Sequence, residues 1–126
     1  MIYDAGALVA AERGEPRLRA LHHQWLAYEI SPVVPSPVLA QVWRNGSRQA
    51  RLARLLRGCR VLPTSEEVSK QAGVILGCSR STDAIDAIVI ATAINYRAIV
   101  VTSDPNDLRR LWNAADTDFE IGLVVP

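Results

Sequence analysis

The sequence has 126 residues, of which 49% are hydrophobic and 21% are charged, so it has the size and apolar content of one globular domain and is too short for two independent cores. Its 14 basic and 13 acidic side chains leave a net charge of +1, which excludes the strong overall field of a general nucleic-acid or membrane binder. The two cysteines, Cys59 and Cys78, form no Cys-x-x-Cys pair, which is typical of a reduced protein rather than of a disulfide scaffold or a zinc site.

Short β-branched runs alternate with longer helical patterns along the chain. The patterns predict five strands, at residues 1–4, 30–34, 60–62, 98–101 and 121–125. They predict helices at residues 5–14, 16–28, 36–45, 47–56, 65–77, 81–96 and 105–115. Because strands that alternate with helices are joined by crossovers, neighbouring strands pair in parallel. The sequence therefore predicts a single α/β domain over residues 1–126, a three-layer α/β/α sandwich with a short-stranded, mainly parallel five-stranded sheet.

No targeting or membrane segment is predicted. The first residues lack the basic and apolar regions of a secretory signal. The longest uncharged stretch, residues 30–43, is interrupted by Pro32, Pro35 and Pro37 and is too short to cross a bilayer. We therefore expect a cytoplasmic protein that does not contact membranes.

Two aspartates follow predicted strands. Asp4 ends the first strand, and Asp104 directly follows the fourth. In open parallel sheets ligands bind beyond the carboxyl ends of the strands, so both side chains are predicted to lie at the binding edge. Taken singly, helix capping also explains each of them, since Asp104 is followed by Pro105 in the pattern of an N-cap and first helical position.

Asp86 lies in a helical segment, residues 84–91, that is apolar on nearly every side. An ionised carboxylate inside such a helix is costly unless a cation or hydrogen-bond donors compensate it. Asp83 is three residues earlier and shares that part of the helix surface. The alternative is that Ser81, Thr82 and Asp83 only cap the helix while Asp86 binds a neighbouring backbone amide.

Several carboxylates at one sheet edge repel one another, and a hard divalent cation relieves that repulsion. All-oxygen ligand sets favour Mg²⁺ or Mn²⁺, and no His or Cys is placed to favour zinc. Such cations polarise phosphoryl oxygens and activate water at neutral pH. The aspartates therefore indicate a nuclease or a phosphatase.

A basic stretch lies in the middle of the chain. Six arginines occur between residues 44 and 60, and no acidic residue occurs between Glu29 and Glu66. Guanidinium groups bind phosphates, so the candidate RNA contacts are Arg44, Arg48 and Arg51. The three-residue spacing winds around a helix, however, and a solvated helix face or a protein interface explains the stretch equally well.

Taken together, three separated motifs resemble those of a PIN-domain nuclease, with the VapC-type toxins as the nearest group. The motifs are Asp4 after the first strand, Asp83-Ala-Ile-Asp86-Ala on a central helix, and Thr102-Ser103-Asp104-Pro105-Asn106-Asp107 after a later strand. The resemblance covers essentially the whole chain. It implies an endoribonuclease that depends on Mg²⁺ or Mn²⁺, forms a homodimer and is inhibited by a cognate antitoxin protein.

The resemblance also implies roles for individual residues. Asp4, Asp86 and Asp104 would be catalytic metal ligands, and Asp83 a further ligand. Thr102, Ser103 and Asp107 would hold ligands or water molecules in position.

One position departs from the family pattern. Where the family usually places a glutamate, in the helix opened by Ser36 and Pro37, this sequence has Gln41. A neutral amide offers a carbonyl oxygen but binds a second cation less well than a carboxylate does. Gln41 either helps to position a ligand water or is simply a partly exposed helix amide. A further alternative is that it marks a catalytically weakened PIN-like domain that serves as an RNA- or protein-binding module.

Two other phosphate-handling families fit less well. Receiver domains have an acidic pair after the first strand and a lysine after a later strand, whereas the single lysine here, Lys70, lies in a predicted helix. Phosphatases of the haloacid-dehalogenase type have Asp-x-Asp after the first strand, whereas here the third residue is Gly6.

Overall fold

Five short parallel strands form one sheet at the centre of the molecule. The computed structural model describes residues 1–115, 117–118 and 122–125. Its strands are β1 (Ile2–Tyr3), β2 (Val33–Pro35), β3 (Arg60–Leu62), β4 (Val100–Val101) and β5 (Leu123–Val124). They lie in the order β3-β2-β1-β4-β5, and each described pair is parallel. The predicted five-stranded sheet is therefore confirmed.

Seven helices in the described residues cover the two faces of the sheet. They are α1 (Ala5–Glu12), α2 (Pro16–Ala27), α3 (Ser36–Val42), α4 (Ala50–Arg57), α5 (Glu66–Ser79), α6 (Ala84–Tyr96) and α7 (Pro105–Ala114). From β1 to β3 the chain moves across the sheet in one direction, and from β3 to β5 it moves in the other. Because parallel crossovers are right-handed, the first four helices and the last three lie on opposite faces. This confirms the predicted three-layer α/β/α sandwich.

The hydrophobic core lies on both sides of β1 and β4, whose four residues are fully buried. The most buried helix is α6, where Ala87, Val89, Ile90, Ala91 and Ala93 are excluded from solvent. This helix contacts both α5 and α7 as well as β2, so it is apolar on several sides, as a central helix should be. Within the described ranges, no helix combines the length and apolar character needed to cross a bilayer.

Three helix ends place non-glycine residues in the left-handed region of backbone space. Glu29, Arg80 and Arg97 have φ angles of 59°, 58° and 49°. Arg80 and Arg97 are the C-cap residues of α5 and α6, and Glu29 follows the C-cap of α2. For a residue with a Cβ this conformation costs about 1–2 kcal/mol.

Several predicted boundaries were wrong, and hydrogen bonds explain each shift. The second strand was expected at residues 30–34, but the Ile30 amide donates to the Trp25 carbonyl at 2.9 Å and so closes α2. The fifth predicted helix was expected to begin at residue 65, and Ser65 instead caps α5 by accepting from the Val68 amide at 3.1 Å.

The boundaries beside α4 and β4 moved for the same reason. Residues 47–49 form a turn before α4, in which the Ser47 amide donates to Asn45 Oδ1 at 3.1 Å. The Ala98 amide donates to the Ala93 carbonyl at 3.0 Å and closes α6, so β4 begins at Val100 rather than at residue 98. The predicted start of the last strand, residue 121, lies outside the described residues.

Candidate active site

The site is built where the sheet reverses its direction of winding. The chain leaves β1 toward β2 but leaves β4 toward β5, and β1 and β4 are neighbours. The loops after these two strands therefore diverge and leave a crevice at their carboxyl ends. Asp4 follows β1 and Asp104 follows β4, while the register pairs Tyr3 with Val101. Both aspartates therefore follow strands that end at the same edge of the sheet, as the sequence predicts.

Asp4 is a helix cap as well as a member of the site. Its side chain accepts a hydrogen bond from the Ala7 amide at 2.9 Å, and only 5% of the residue is exposed. Burial raises the pKa of this carboxyl, while hydrogen bonds from Thr102 and from the Ala7 and Gly6 amides oppose the rise, and the charge of Asp104 adds to it. The capping interpretation is thus confirmed, and it coexists with a carboxylate placed at the crevice.

Thr102 connects the two strand-end aspartates. The residue is fully buried, and its Oγ1 accepts the Asp104 amide N–H at 2.9 Å. Its hydroxyl also hydrogen-bonds the Asp4 carboxylate. Asp104 precedes α7 but makes no helix-capping side-chain hydrogen bond, and its side chain is exposed. Capping therefore does not explain the Asp104 carboxylate.

Asp86 stands in the first turn of α6 rather than in the interior of a helix. The helix begins at Ala84, three residues later than predicted, because Asp83 Oδ1 accepts the Asp86 amide at 2.9 Å and caps it. Asp86 is half-buried. Burial is the largest cause that raises the pKa of its carboxyl to about 7, followed by the charge and hydrogen bond of Asp83 and the charges of Asp4 and Asp107.

These interactions join five aspartates in one electrostatic environment. Asp83, Asp4 and Asp107 act on Asp86, and Asp104 acts on Asp4. Within residues 1–115, 117–118 and 122–125, however, no three His, Cys, Asp or Glu side chains converge closely enough to hold a metal ion. Asp107 also contacts Arg110, with 3.5 Å between the carboxylate and the guanidinium. The donors are all oxygen and repel one another, and this chemistry fits Mg²⁺ or Mn²⁺.

The first turn of α1 packs directly on the loop after β4. A Cβ atom built on Gly6 would collide with Ser103 Oγ and would lie 3.1 Å from the Ser103 amide nitrogen. Only glycine therefore allows this approach of the two loops. Our sequence reasoning missed the structural role of Gly6, although a glycine two residues after Asp4 in an alanine-rich helix was a usable signal.

A comparison with known families agrees with this geometry. The sequence matches the PIN domain family over residues 1–112. The chain belongs to this family. PIN domains are generally nucleases, so the chain is a nuclease-like domain, and the match includes the five aspartates of the crevice. No curated protein matches the sequence significantly.

Gln41 of this PIN domain lies on α3 with a buried amide oxygen. Among the described residues, its Oε1 has no hydrogen-bond partner. A buried acceptor without a donor is costly, so such an oxygen in a native protein calls for a structural or functional explanation. The predicted part of Gln41 in holding a ligand water stays a prediction.

The three arginines predicted to contact RNA have different surroundings in the PIN domain. The Arg44 guanidinium donates to three carbonyls at the end of α3, the shortest contact being 2.8 Å to Trp43. Arg48 is exposed in the turn before α4. Arg51 lies on α4 beside the turn at Gly14 and lines a cavity there. Arg51 is therefore the one of these three that lines the cavity beside Gly14.

Proposed function

We propose that this PIN domain is a metal-dependent endoribonuclease that hydrolyses RNA phosphodiester bonds and acts as the toxin of a VapBC-type toxin–antitoxin pair. The observation that carries the proposal is the gathering of carboxylates where β1 and β4 end side by side. Burial, and after it the charges of Asp83, Asp4 and Asp107, raises the pKa of Asp86 to about 7. Family membership supports the class of nuclease. A site with this much unbalanced negative charge favours a divalent cation over bulk solvent.

Four aspartates would hold Mg²⁺ or Mn²⁺, namely Asp4, Asp83, Asp86 and Asp104. When bound, the cation supplies charge neutralisation at the phosphoryl group and an activated water molecule. Thr102 fixes the orientation of the Asp4 carboxylate through its hydroxyl, because the same oxygen is held by the Asp104 amide at 2.9 Å. The Asp104 carboxylate is exposed and makes no capping bond, so it can turn toward the crevice.

The Asp86 carboxyl also carries a proton part of the time near neutral pH, because its pKa is raised to about 7. That proton leaves when a cation or another positive charge enters the crevice. Asp83 holds the Asp86 backbone through the 2.9 Å capping bond, so the carboxylate is presented from a fixed helix end. Ser103 packs against Gly6 and keeps the loop of Asp104 close to α1. Ser103 and Asp107 would position water and ligands, as the family resemblance implies.

The partners in this proposal are RNA, a cognate antitoxin and a second copy of the chain, all in the cytoplasm. A basic side chain of the antitoxin would suit the acidic crevice. Apolar surface is available for a hydrophobic segment, since Trp43 is 39% exposed and borders a groove formed with Leu39, Ala40 and Leu56. We expect strong expression without the antitoxin to arrest growth, and unaffected growth would contradict the toxin role.

The decisive test is cleavage of total cellular RNA by the purified, partner-free protein with Mn²⁺, Mg²⁺ or a chelator. We expect metal-dependent cleavage that falls by about 100-fold or more in Asp86→Asn and Asp104→Asn. Glu67→Gln, on the exposed first turn of α5, is the matched control and should cleave normally. Cleavage that survives chelation, or that survives both substitutions, would overturn the proposed site.

The alternative is a catalytically weakened PIN-like domain that binds RNA or a protein. The neutral Gln41 and the absence of a converged acidic triad among the described residues favour it. This alternative predicts no cleavage with either metal and retained RNA or protein binding.

A further inference from the structure

A cavity lined by both apolar and basic side chains lies at the opposite end of α1 from the acidic crevice. Asp4 caps the first turn of α1, whereas this cavity of about 140 Å³ borders Gly14, just beyond the last turn. It lies between the turn that joins α1 to α2 and helix α4. Four nitrogen-bearing side chains line it, and we call it the basic cavity: Arg19, His22, Arg51 and Arg54.

The positive charge of the basic cavity is not neutralised by neighbouring acids. Glu15 is the only acidic residue in its lining. In the described part of the chain, none of Arg19, Arg51 and Arg54 forms a salt bridge. Guanidinium groups that surround a concave space without carboxylate partners are suited to a phosphate, which they bind in bidentate fashion.

The backbone of the turn adds to this preference for an anion. Gly14 has a φ of +73°, and a Cβ there would lie 2.9 Å from Arg51 Nη1, so the glycine lets the guanidinium rest on the turn. Helix α2 begins at Pro16, and its N-cap residue Glu15 makes no side-chain capping bond. The positive end of the helix dipole is therefore left beside the cavity.

His22 connects the cavity to the strand that leads into the acidic crevice. Its Nδ1 lies 2.9 Å from the Tyr3 hydroxyl, and the two rings are 5.8 Å apart. Tyr3 is fully buried and directly precedes Asp4. The wall of the basic cavity and the aspartate are thus anchored to the same strand, which fixes their separation.

A separate groove runs along α1 and has lining residues near both sites. It has a volume of about 270 Å³ and is lined by Gly6, Val9, Ala10, Arg13, Glu15 and Ser103. Ser103 lies beside Asp104, and Glu15 also borders the basic cavity. The eight residues of α1 span roughly 12 Å at the rise of an α-helix, so the distance suits a short segment of nucleic-acid backbone.

We propose that the basic cavity binds a backbone phosphate of the RNA strand whose scissile bond lies at the acidic crevice, with α1 setting the distance between the two. The inference rests on the proposed function for the identity of the polymer. Recognition here is by charge and not by base, so it is independent of sequence and weakens with salt. The ligand class is the phosphodiester of a polynucleotide.

The test measures binding of a short fluorescent RNA in EDTA, where metal-dependent cleavage cannot occur. The cavity variant is Arg51→Gln combined with Arg54→Gln. The matched control is Arg17→Gln combined with Arg57→Gln, which removes two exposed charges from α2 and α4 without touching the cavity lining. Thermal unfolding of both variants checks that they are folded.

We expect the cavity variant to lose about tenfold or more in RNA affinity per phosphate contact removed, and the control to lose much less. The slope of log K against log salt should fall by about 0.7 for each lost contact with a single strand. Arg19→Gln alone should give a smaller loss of the same kind.

The outcomes separate this inference from the proposed function. Equal RNA affinity in the cavity and control variants would overturn the inference while leaving metal-dependent cleavage intact. Conversely, RNA binding could be lost in the cavity variant alone while the wild-type protein cleaves no RNA under any condition. That result would support the phosphate site in the basic cavity and overturn the proposed nuclease activity. A competition experiment with inorganic phosphate tests the ligand. If phosphate binds the wild-type protein but does not compete with RNA, the basic cavity is a site for the free ion and not for the RNA backbone.

Discussion

Asp83 caps the helix on which Asp86 stands, and after burial its nearby charge is the next largest cause that raises the pKa of the Asp86 carboxyl. Asp83 Oδ1 accepts the Asp86 amide at 2.9 Å, so the two carboxylates are held together by the architecture of α6. A cap normally stabilises a helix by about 1 kcal/mol, but here it brings like charges together. The helix end is thus built for a positive ligand.

The first prediction concerns pH and the stability of the metal-free protein. The pKa of Asp86 rises from 3.8 to about 7 on folding, so the unfolded chain loses this proton more readily. Below about pH 4 the protonated Asp86 carboxyl contributes its full stabilisation to the folded state. This contribution is lost as the pH rises through about 7. Asp86→Asn should therefore be more stable than the wild type in EDTA at about pH 8, and the difference should shrink toward about pH 4.

Urea unfolding at several pH values checks this prediction. Glu67→Gln is the control, because it removes a carboxylate from an exposed helix turn that lies outside the aspartate cluster. A stability difference between wild type and Asp86→Asn that stays constant with pH would contradict the raised pKa.

The second prediction concerns metal addition. Mn²⁺ or Mg²⁺ should raise the melting temperature, because a ligand that binds only the folded state stabilises it by about 2.7 kcal/mol at 100 times its Kd. The shift should disappear in Asp104→Ala, which removes an exposed carboxylate without a capping role. Thermal scans with metal and with EDTA measure it, and an undiminished shift in the variant would place the metal elsewhere.

The third prediction concerns the contact between Gly6 and Ser103. Gly6→Ala should destabilise the fold by about 1–3 kcal/mol, because the new Cβ meets the Ser103 hydroxyl and amide. Cleavage should fall as well, since the loop of Asp104 is displaced. Ser103→Ala removes the hydroxyl, so adding it to Gly6→Ala should recover part of the loss in a double-mutant cycle.

Gly73→Ala is the control for this experiment. A Cβ at Gly73, in the interior of α5, meets no atom within 4 Å, so this substitution should stabilise the protein by about 0.5–1 kcal/mol. If both alanine variants change stability alike, the close approach of the two loops is wrong.

The fourth prediction concerns Gln49, whose side chain holds the connection between α3 and α4. Its Oε1 accepts from the Arg44 amide at 3.0 Å and the Gly46 amide at 3.3 Å. Its Nε2 donates to the Val42 carbonyl at 2.9 Å and to Glu12 at 3.0 Å. Gln49→Ala should cost about 2–3 kcal/mol, because it leaves buried partners unpaired.

Chemical denaturation of Gln49→Ala and Gln24→Ala measures the loss in the free energy of unfolding. Gln24 is exposed on α2, so its substitution should change the free energy of unfolding by less than about 0.5 kcal/mol. Equal effects would show that the Gln49 hydrogen bonds add nothing to stability.

The fifth prediction concerns Gln41. In the metal-free protein Gln41→Glu should be destabilising, because a carboxylate replaces an amide whose oxygen is buried without a donor. With Mn²⁺ present it should raise metal affinity and the rate of RNA cleavage. Calorimetry and cleavage assays measure both, and unchanged values would show that position 41 does not tune the site.

Much of the fold could be predicted because it depends on patterns that are local in sequence. The alternation of apolar runs and helices forces parallel pairing, and this predicts that Asp4 and Asp104 lie at the same edge of the sheet. The position of Asp86 was harder to predict. Ser81, Thr82 and Asp83 are all good capping residues, and only the hydrogen bond from the Asp86 amide selects Asp83.

The features that sequence analysis missed depend on contacts between distant elements. Gly6 matters because of Ser103, and Arg19 matters because α2 brings it beside α4. The early start predicted for β2 failed because Ile30 is as apolar as a strand residue but is used to close α2. Local propensity contains no information on such pairings.

The left-handed helix ends at Glu29, Arg80 and Arg97 bear on how readily this protein could be improved by engineering. Each holds a side chain in a conformation that glycine or asparagine adopts at lower cost. Natural sequences keep such residues when stability already exceeds what function requires, so glycine or asparagine at these three positions should raise the melting temperature. They lie on helix ends outside the aspartate cluster. A stabilised variant for biochemical work can therefore be made without altering an acidic side chain of the crevice.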